Sequence, residues 1–235
     1  MSLLALTIAA CDSSSPTEPA PPSPAGNIVF ANPQALAPYQ ATITQIIEDN
    51  YRLAGTRLSI AGVRVTVTAD AARTIPGFGL GGYAQGPNDI EIVVDPAFGS
   101  LETSIAQYLP HIVAHELHHA ARFRGLGFAR TLLDHMVLEG MADHFAVDLL
   151  GILPPPWSEA LSESQITEML QRARPELDSS AFSFQAWFFG SGADIPAWTG
   201  YSLGFHLVSE YRTRNPGSDA ASLVHTPSDA FRPPS

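Results

Sequence analysis

The sequence predicts an α+β domain: a small β-sheet with an edge strand, followed by a mainly helical part that carries a candidate metal site. Three observations predict it. Val63, Val65 and Val67 alternate strictly with Arg64, Thr66 and Thr68, the pattern of a half-buried strand. Ile90–Val94 reads as a second strand, stopped by Asp95-Pro96. Beyond Pro110, most of the chain reads as helix. Strands first and helices after is the segregation expected of an α+β domain.

The elements follow in order. Residues 1–11, MSLLALTIAAC, hold an apolar run too short to span a bilayer, which takes about 20 residues. They read instead as the remnant of a secretory signal peptide ending in small residues. Residues 12–26 are rich in Ser and Pro and have almost nothing to bury, so they form a solvated tether. The folded domain is expected over 27–235. Within it, Ile43, Ile46, Ile47, Asn50 and Leu53 recur at helical spacing, and Gly55 provides a stop. Residues 76–89, PGFGLGGYAQGPND, predict a loop or hairpin turn. Helices are then expected over 110–124, 128–150, 162–174 and 200–215. Pro110 suits a first helical position and Gly125 a position just past the end.

Composition narrows the chemistry. The formal net charge is −11, which argues against a nucleic-acid partner. All 12 cationic residues are Arg, so lysine-based catalysis and Walker-type phosphate binding are excluded. Cys11 is the single cysteine, so any metal must be held by His and carboxylates.

The stretch VAHELHHAARF, residues 113–123, supplies such ligands. On a helix with His115 at zero, His119 lies at about +40° and Glu116 at about +100°. The two imidazoles share a face and can hold one Zn²⁺. Glu116 stands beside them, placed to act as the general base on a polarised water. A hydrolytic zinc needs a third protein ligand, and Glu139 on the next helix offers one, with Asp143 four residues on along the same face. A His111/His115 pair is geometrically possible but lacks the adjoining Glu. His118 is expected to be a surface or packing residue, and His135 a polar neighbour of the site. Arg122 has two readings, an ion pair or a solvated surface. Tyr201 and His206 are candidates to donate to a developing oxyanion, with Tyr201 favoured.

His115-Glu116-x-x-His119 followed by Glu139 and Asp143 resembles the gluzincins, the thermolysin-like metallopeptidases. The resemblance implies Glu139 as third zinc ligand and Asp143 as the residue that holds a ligand histidine by its other ring nitrogen. More of the chain, with HExxHxxR at 115–122, EGxA at 139–142 and GYxxGF at 200–205, is similar to a bacterial family of predicted zinc-dependent proteases of unknown function. It implies a zincin-like fold, with Ile90–Val94 as the edge strand beside the site, and a peptide or protein substrate. Ile8-Ala9-Ala10-Cys11 resembles a lipobox, which implies a lipid on Cys11 and an exported, membrane-anchored protein of the bacterial cell envelope. A different class of protein fits the same motif: a non-catalytic zinc-binding envelope lipoprotein, with a closed site completed by His118 or His135, acting as a binding or assembly module.

Overall fold

The computed structural model describes residues 27–192 and 194–233, so the signal-like segment and tether predicted over 1–26 lie outside the described residues. Four strands form one mixed sheet: β1 (Ile28–Phe30), β2 (Arg64–Ala69), β3 (Leu80–Gly86) and β4 (Asp89–Val94). Their order is β1-β2-β4-β3, with β1, β2 and β4 parallel and β3 antiparallel to β4. Five α-helices accompany it: α1 (Gln40–Gly55), α2 (Leu101–Leu126), α3 (Leu132–Leu150), α4 (Glu163–Ala173) and α5 (Thr199–Arg214). The architecture is α+β, as the sequence predicts. Among the described residues no helix is long and apolar enough to cross a membrane.

Several boundaries differ from expectation. The Gly-rich stretch expected as a loop or hairpin turn holds the turn into β4 but also β3 itself, and β3 is the edge strand at this end of the sheet. Ile90–Val94, expected at the edge, instead belongs to β4 between β2 and β3. Its near-continuous burial is what a strand covered on both faces requires. The sequence reading also overlooked β1, which has only three residues.

α2 begins at Leu101 rather than Pro110, which lies inside the helix. Leu101, Ile105, Leu109 and Ile112 form one buried apolar stripe across that proline, and this packing outweighs the hydrogen bond that proline removes. Gly125 is helical, and the helix stops at Gly127, whose φ of 73° favours glycine. α3 starts at Leu132, after a capping box in which Thr131 accepts from the Asp134 N–H while the Asp134 carboxylate accepts from the Thr131 N–H.

α2 packs against β3 and β4 on one side and against α3 on the other, so its middle is enclosed by all three. The motif residues therefore sit in the interior: His115, Glu116, His118, His119 and Arg122 are all buried.

Candidate metal centre

The long helix α2 presents His111, His115 and His119 at successive turns, and α3 presents Glu139 and Asp143 one turn apart. The two helices face each other through these residues. Glu139 Oε2 lies 3.0 Å from His115 Nε2 and 3.5 Å from His119 Nε2. The His115 and His119 rings meet edge to face at 4.4 Å. His115, Glu116 and His119 each offer a ligand atom within 4.8 Å of the others.

Asp143 has no exposed surface and anchors the far side. Its Oδ1 lies 2.7 Å from His115 Nδ1 and 3.0 Å from His111 Nε2, with Trp157 Nε1 donating from 3.4 Å. Ser158 donates its hydroxyl to Oδ2. The carboxylate thus fixes the His115 ring so that its Nε2 points toward Glu139 and the cavity. His111, weighed in the sequence as a rival ligand, shares the Asp143 oxygen, and His111, His115 and Asp143 also offer ligand atoms within 4.8 Å of one another.

Glu116 lies under β3. A Cβ on Gly82 would fall 2.6 Å from Glu116 Oε1, so only a glycine lets the edge strand pass this close. Glu116 Oε2 is buried without a hydrogen-bond partner among the described residues. Burial pushes the Glu116 carboxyl up, against the pull of the His119 and His115 charges. A carboxyl raised in this way is suited to taking and returning a proton near neutrality.

Burial also works against ionisation of Glu139, but the histidine charges and hydrogen bonds outweigh it and bring the carboxyl down to about 2. Asp143 is likewise held well below the usual carboxylate range: burial opposes the shift, while His115 and His111 drive it. Burial disfavours the His115 cation, yet Asp143 and Glu139 raise it well above the ordinary value. In the metal-free chain the His115 cation offsets the charge of these two buried carboxylates; a divalent cation held by neutral imidazoles would balance it instead. With the unpartnered Glu116 oxygen beside it, the group can hold a metal ion, and Glu139 Oε2 lies near the Nε2 atoms of both His115 and His119.

A cavity of about 430 Å³ opens over this group, lined on its polar side by His111, His115, Glu116, His119 and Glu139. Tyr201 lines it from α5. Burial and the Glu139 charge push the Tyr201 phenol well up, so it stays a donor. His206, the other candidate, does not line the cavity.

The remaining candidates lie elsewhere. His118 packs 5.3 Å from the Phe145 ring, with Nε2 3.4 Å from the Ala220 carbonyl. His135 Nδ1 bonds the Thr131 carbonyl at 2.9 Å, among Phe182, Phe184 and Phe188. Neither lines the cavity, so the closed site imagined through one of them is not assembled. Arg122 matches neither reading made for it: it is buried, and it donates to the Val224 carbonyl at 2.9 Å and the Ser228 hydroxyl at 3.4 Å. Burial lowers its guanidinium to about 10, partly offset by Asp134. Its role is to tie the C-terminal segment to α2.

The sequence reading missed Trp157 and Ser158, which brace Asp143, and an aromatic side of the cavity formed by Phe184, Phe189 and Trp198. The run FSFQAWFF at 182–189 was the available signal, but nothing local ties it to α2.

Fold and site together define an α+β protein whose buried His/Asp/Glu group can hold a metal ion. A family model described as "Predicted Zn-dependent protease (DUF2268)" matches residues 43–232, and the chain belongs to that family. It is also similar to "Uncharacterized protein YjfC" of Bacillus subtilis (strain 168), with 26% identity over 151 residues, 58% of this chain and 49% of the relative. The chain thus spans about half the length of that curated relative. No solved structure matches.

Proposed function

We propose that this chain is a zinc-dependent metallopeptidase with a gluzincin-type site on a zincin-like fold. The observation that carries the reading is the approach of His115 and His119 to Glu139 Oε2, with the Glu116 Oε2 atom unpartnered beside them on the cavity wall. The family description supports the same reading.

His115, His119 and Glu139 would hold the ion. Zinc bound there supplies Lewis acidity, making a water easier to deprotonate and a scissile carbonyl easier to attack. Glu116 takes the water's proton at its carboxylate and returns it to the departing amine, which its raised pKa suits. Asp143 orients His115 and fixes its tautomer. Tyr201 donates its phenolic O–H to the developing oxyanion. Where α2 packs on β3, Glu116 is only 5 % exposed. Export and anchoring through a lipid on Cys11 complete the proposal, supported by the lipobox-like residues 8–11 and the Ser/Pro-rich stretch that follows. The substrate is a peptide or protein at the cell envelope.

The test is elemental analysis of the purified chain beside Glu139→Ala, followed by peptide-library turnover of native protein beside Glu116→Gln. The reading expects about one zinc per native chain, little in Glu139→Ala, and turnover that Glu116→Gln abolishes with zinc retained. Zinc without turnover on any peptide would favour the binding-module alternative, and absence of zinc after reconstitution would end both.

A further inference from the structure

The cavity over His115 and Glu116 also carries an aromatic lining. Phe184 precedes and Phe189 ends a single π turn, Gln185–Phe189, and both line the cavity together with Trp198 and Tyr201. Their rings form a continuous chain. Phe184 stacks on Phe188 at 4.4 Å, Phe188 meets Tyr201 at 5.3 Å, Tyr201 meets Trp198 at 5.8 Å and Trp198 meets Phe189 at 5.8 Å. Phe184 and Phe189 are 38% and 40% exposed, so much of their apolar surface still faces water.

Trp198 adds a second, independent observation. Among the described residues it is the one non-glycine with positive φ, at 66°. A bulky residue in the left-handed region is strained, and such strain gathers at binding and catalytic positions. Here it sets the indole against Phe189 and Tyr201 at the start of α5, on the cavity wall.

The chemistry of the wall selects its occupant. No Arg lines the cavity, and its cationic groups, His115 and His119 with the ion they would hold, are already matched by Glu139 and Asp143, which leaves little for an acidic side chain to pair with. A cationic side chain could use the ring faces, but Glu139 is engaged by His115 and His119, and the unpartnered Glu116 Oε2 is buried and, on the peptidase reading, taken by the water. An apolar side chain covers the exposed ring surface of Phe184 and Phe189 and needs no polar partner there. Its volume suits a cavity of about 430 Å³ that also admits backbone. Resting on the peptidase reading, we infer that Phe184, Phe189, Trp198 and Tyr201 form the specificity pocket. It takes a bulky apolar side chain, aromatic or large aliphatic, from the peptide at the site.

The test separates binding from turnover. Blocked peptides differing at one position, occupied by Phe, Leu, Ala, Asp or Arg, are titrated calorimetrically into the zinc-loaded full chain carrying Glu116→Gln. The position is moved along the peptide. Phe and Leu are expected to bind at least about tenfold more tightly than Ala at one position, with Asp weakest. Adding Trp198→Gly, which suits the left-handed backbone, should shrink the Phe-to-Ala ratio to about twofold with zinc content unchanged. The exposed Phe189→Ala is expected to act in the same direction. A flat profile, a preference for Arg, no binding by any peptide, or full preference in Trp198→Gly would overturn the inference. Cleavage by the native chain is scored separately. Apolar preference without turnover would defeat the peptidase reading and leave the pocket standing, and turnover with a flat profile would do the reverse.

Discussion

Gly140 of α3 and Gly204 of α5 meet backbone to backbone. A Cβ on Gly140 would fall 2.2 Å from the Gly204 carbonyl carbon, and one on Gly204 would fall 1.9 Å from the Met136 carbonyl oxygen. This crossing sets how near the α5 face carrying Tyr201 comes to the α3 face carrying Glu139. It gives a physical reason for the glycines in the EGxA and GYxxGF stretches. Gly204→Ala must push two helices apart, and overpacking of a rigid backbone contact costs about 1–3 kcal/mol or more. Urea denaturation should show a loss of that size, and zinc affinity should fall with it, because Glu139 neighbours Gly140. Unchanged stability would mean that the helices are not locked at this crossing.

Asp143→Asn tests the anchor under His115. The buried carboxylate serves His115, His111 and Ser158 together, and an amide cannot accept from all three without turning a donor toward one of them. On the zinc reading, affinity should fall about 10- to 100-fold, measured by competition with a chromophoric chelator. Removing zinc from the native chain should lower its melting temperature in a metal-dependent way, since a ligand that binds only the folded state stabilises it by mass action. If Asp143→Asn binds zinc as the native chain does, Asp143 is a core residue and nothing more.

Glu116→Gln should keep both the fold and the zinc while losing about 10²- to 10⁴-fold in peptide turnover. A linked effect follows for the metal-free chain. Burial raises the Glu116 pKa, so its contribution to stability is complete below the unfolded value and is lost as pH rises through the folded one. The neutral amide removes that loss. With chelator present, the variant should therefore gain on the native protein as pH rises from acid toward neutrality, as thermal melts across that range would record. A constant difference at every pH would show that the carboxyl is not perturbed.

The parts of the site that were legible in the sequence are those fixed by a single helix. His115, Glu116 and His119 lie within five residues, and helix geometry alone places them; Glu139 and Asp143 share a face for the same reason. What escaped depends on tertiary approach. Gly81 and Gly82 look like loop residues, yet β3 is a strand in which Gly82 clears Glu116. Ile90–Val94 shows no clean alternation, because β4 is buried on both faces, and a composition-level reading could not distinguish centre from edge. Pro110 suits a helix start by residue type, and only the buried apolar stripe from Leu101 to Ile112 carries the helix through it. The aromatic wall joins residues 184 to 201 to α2 across a long sequence separation, and no local spacing announces that.

His144 carries a prediction about acid stability away from the cavity. It sits in α3 with its ring stacked on Phe205 of α5 at 3.8 Å. Arg212 donates to Nδ1 at 2.9 Å, so that nitrogen keeps its lone pair and Nε2 carries the proton toward the Phe205 carbonyl at 3.0 Å. Protonating Nδ1 would set a new N–H against the guanidinium. Burial is the larger cause and the Arg212 charge adds to it; together they lower the His144 pKa to about 4. The unfolded chain then binds the proton more readily, so the stability due to this histidine is full above about pH 6.5 and is lost as pH falls toward about 4, by roughly 3 kcal/mol in all. His144→Gln removes the titration. It should be less stable than the native chain at neutral pH, because the stacked ring is gone, yet lose less on acidification across that window. Denaturation at stepped pH with chelator present, so that metal release does not contribute, reads the two slopes directly. Parallel slopes would place the acid sensitivity elsewhere, with His118 the next residue to substitute, since burial lowers it in the same direction.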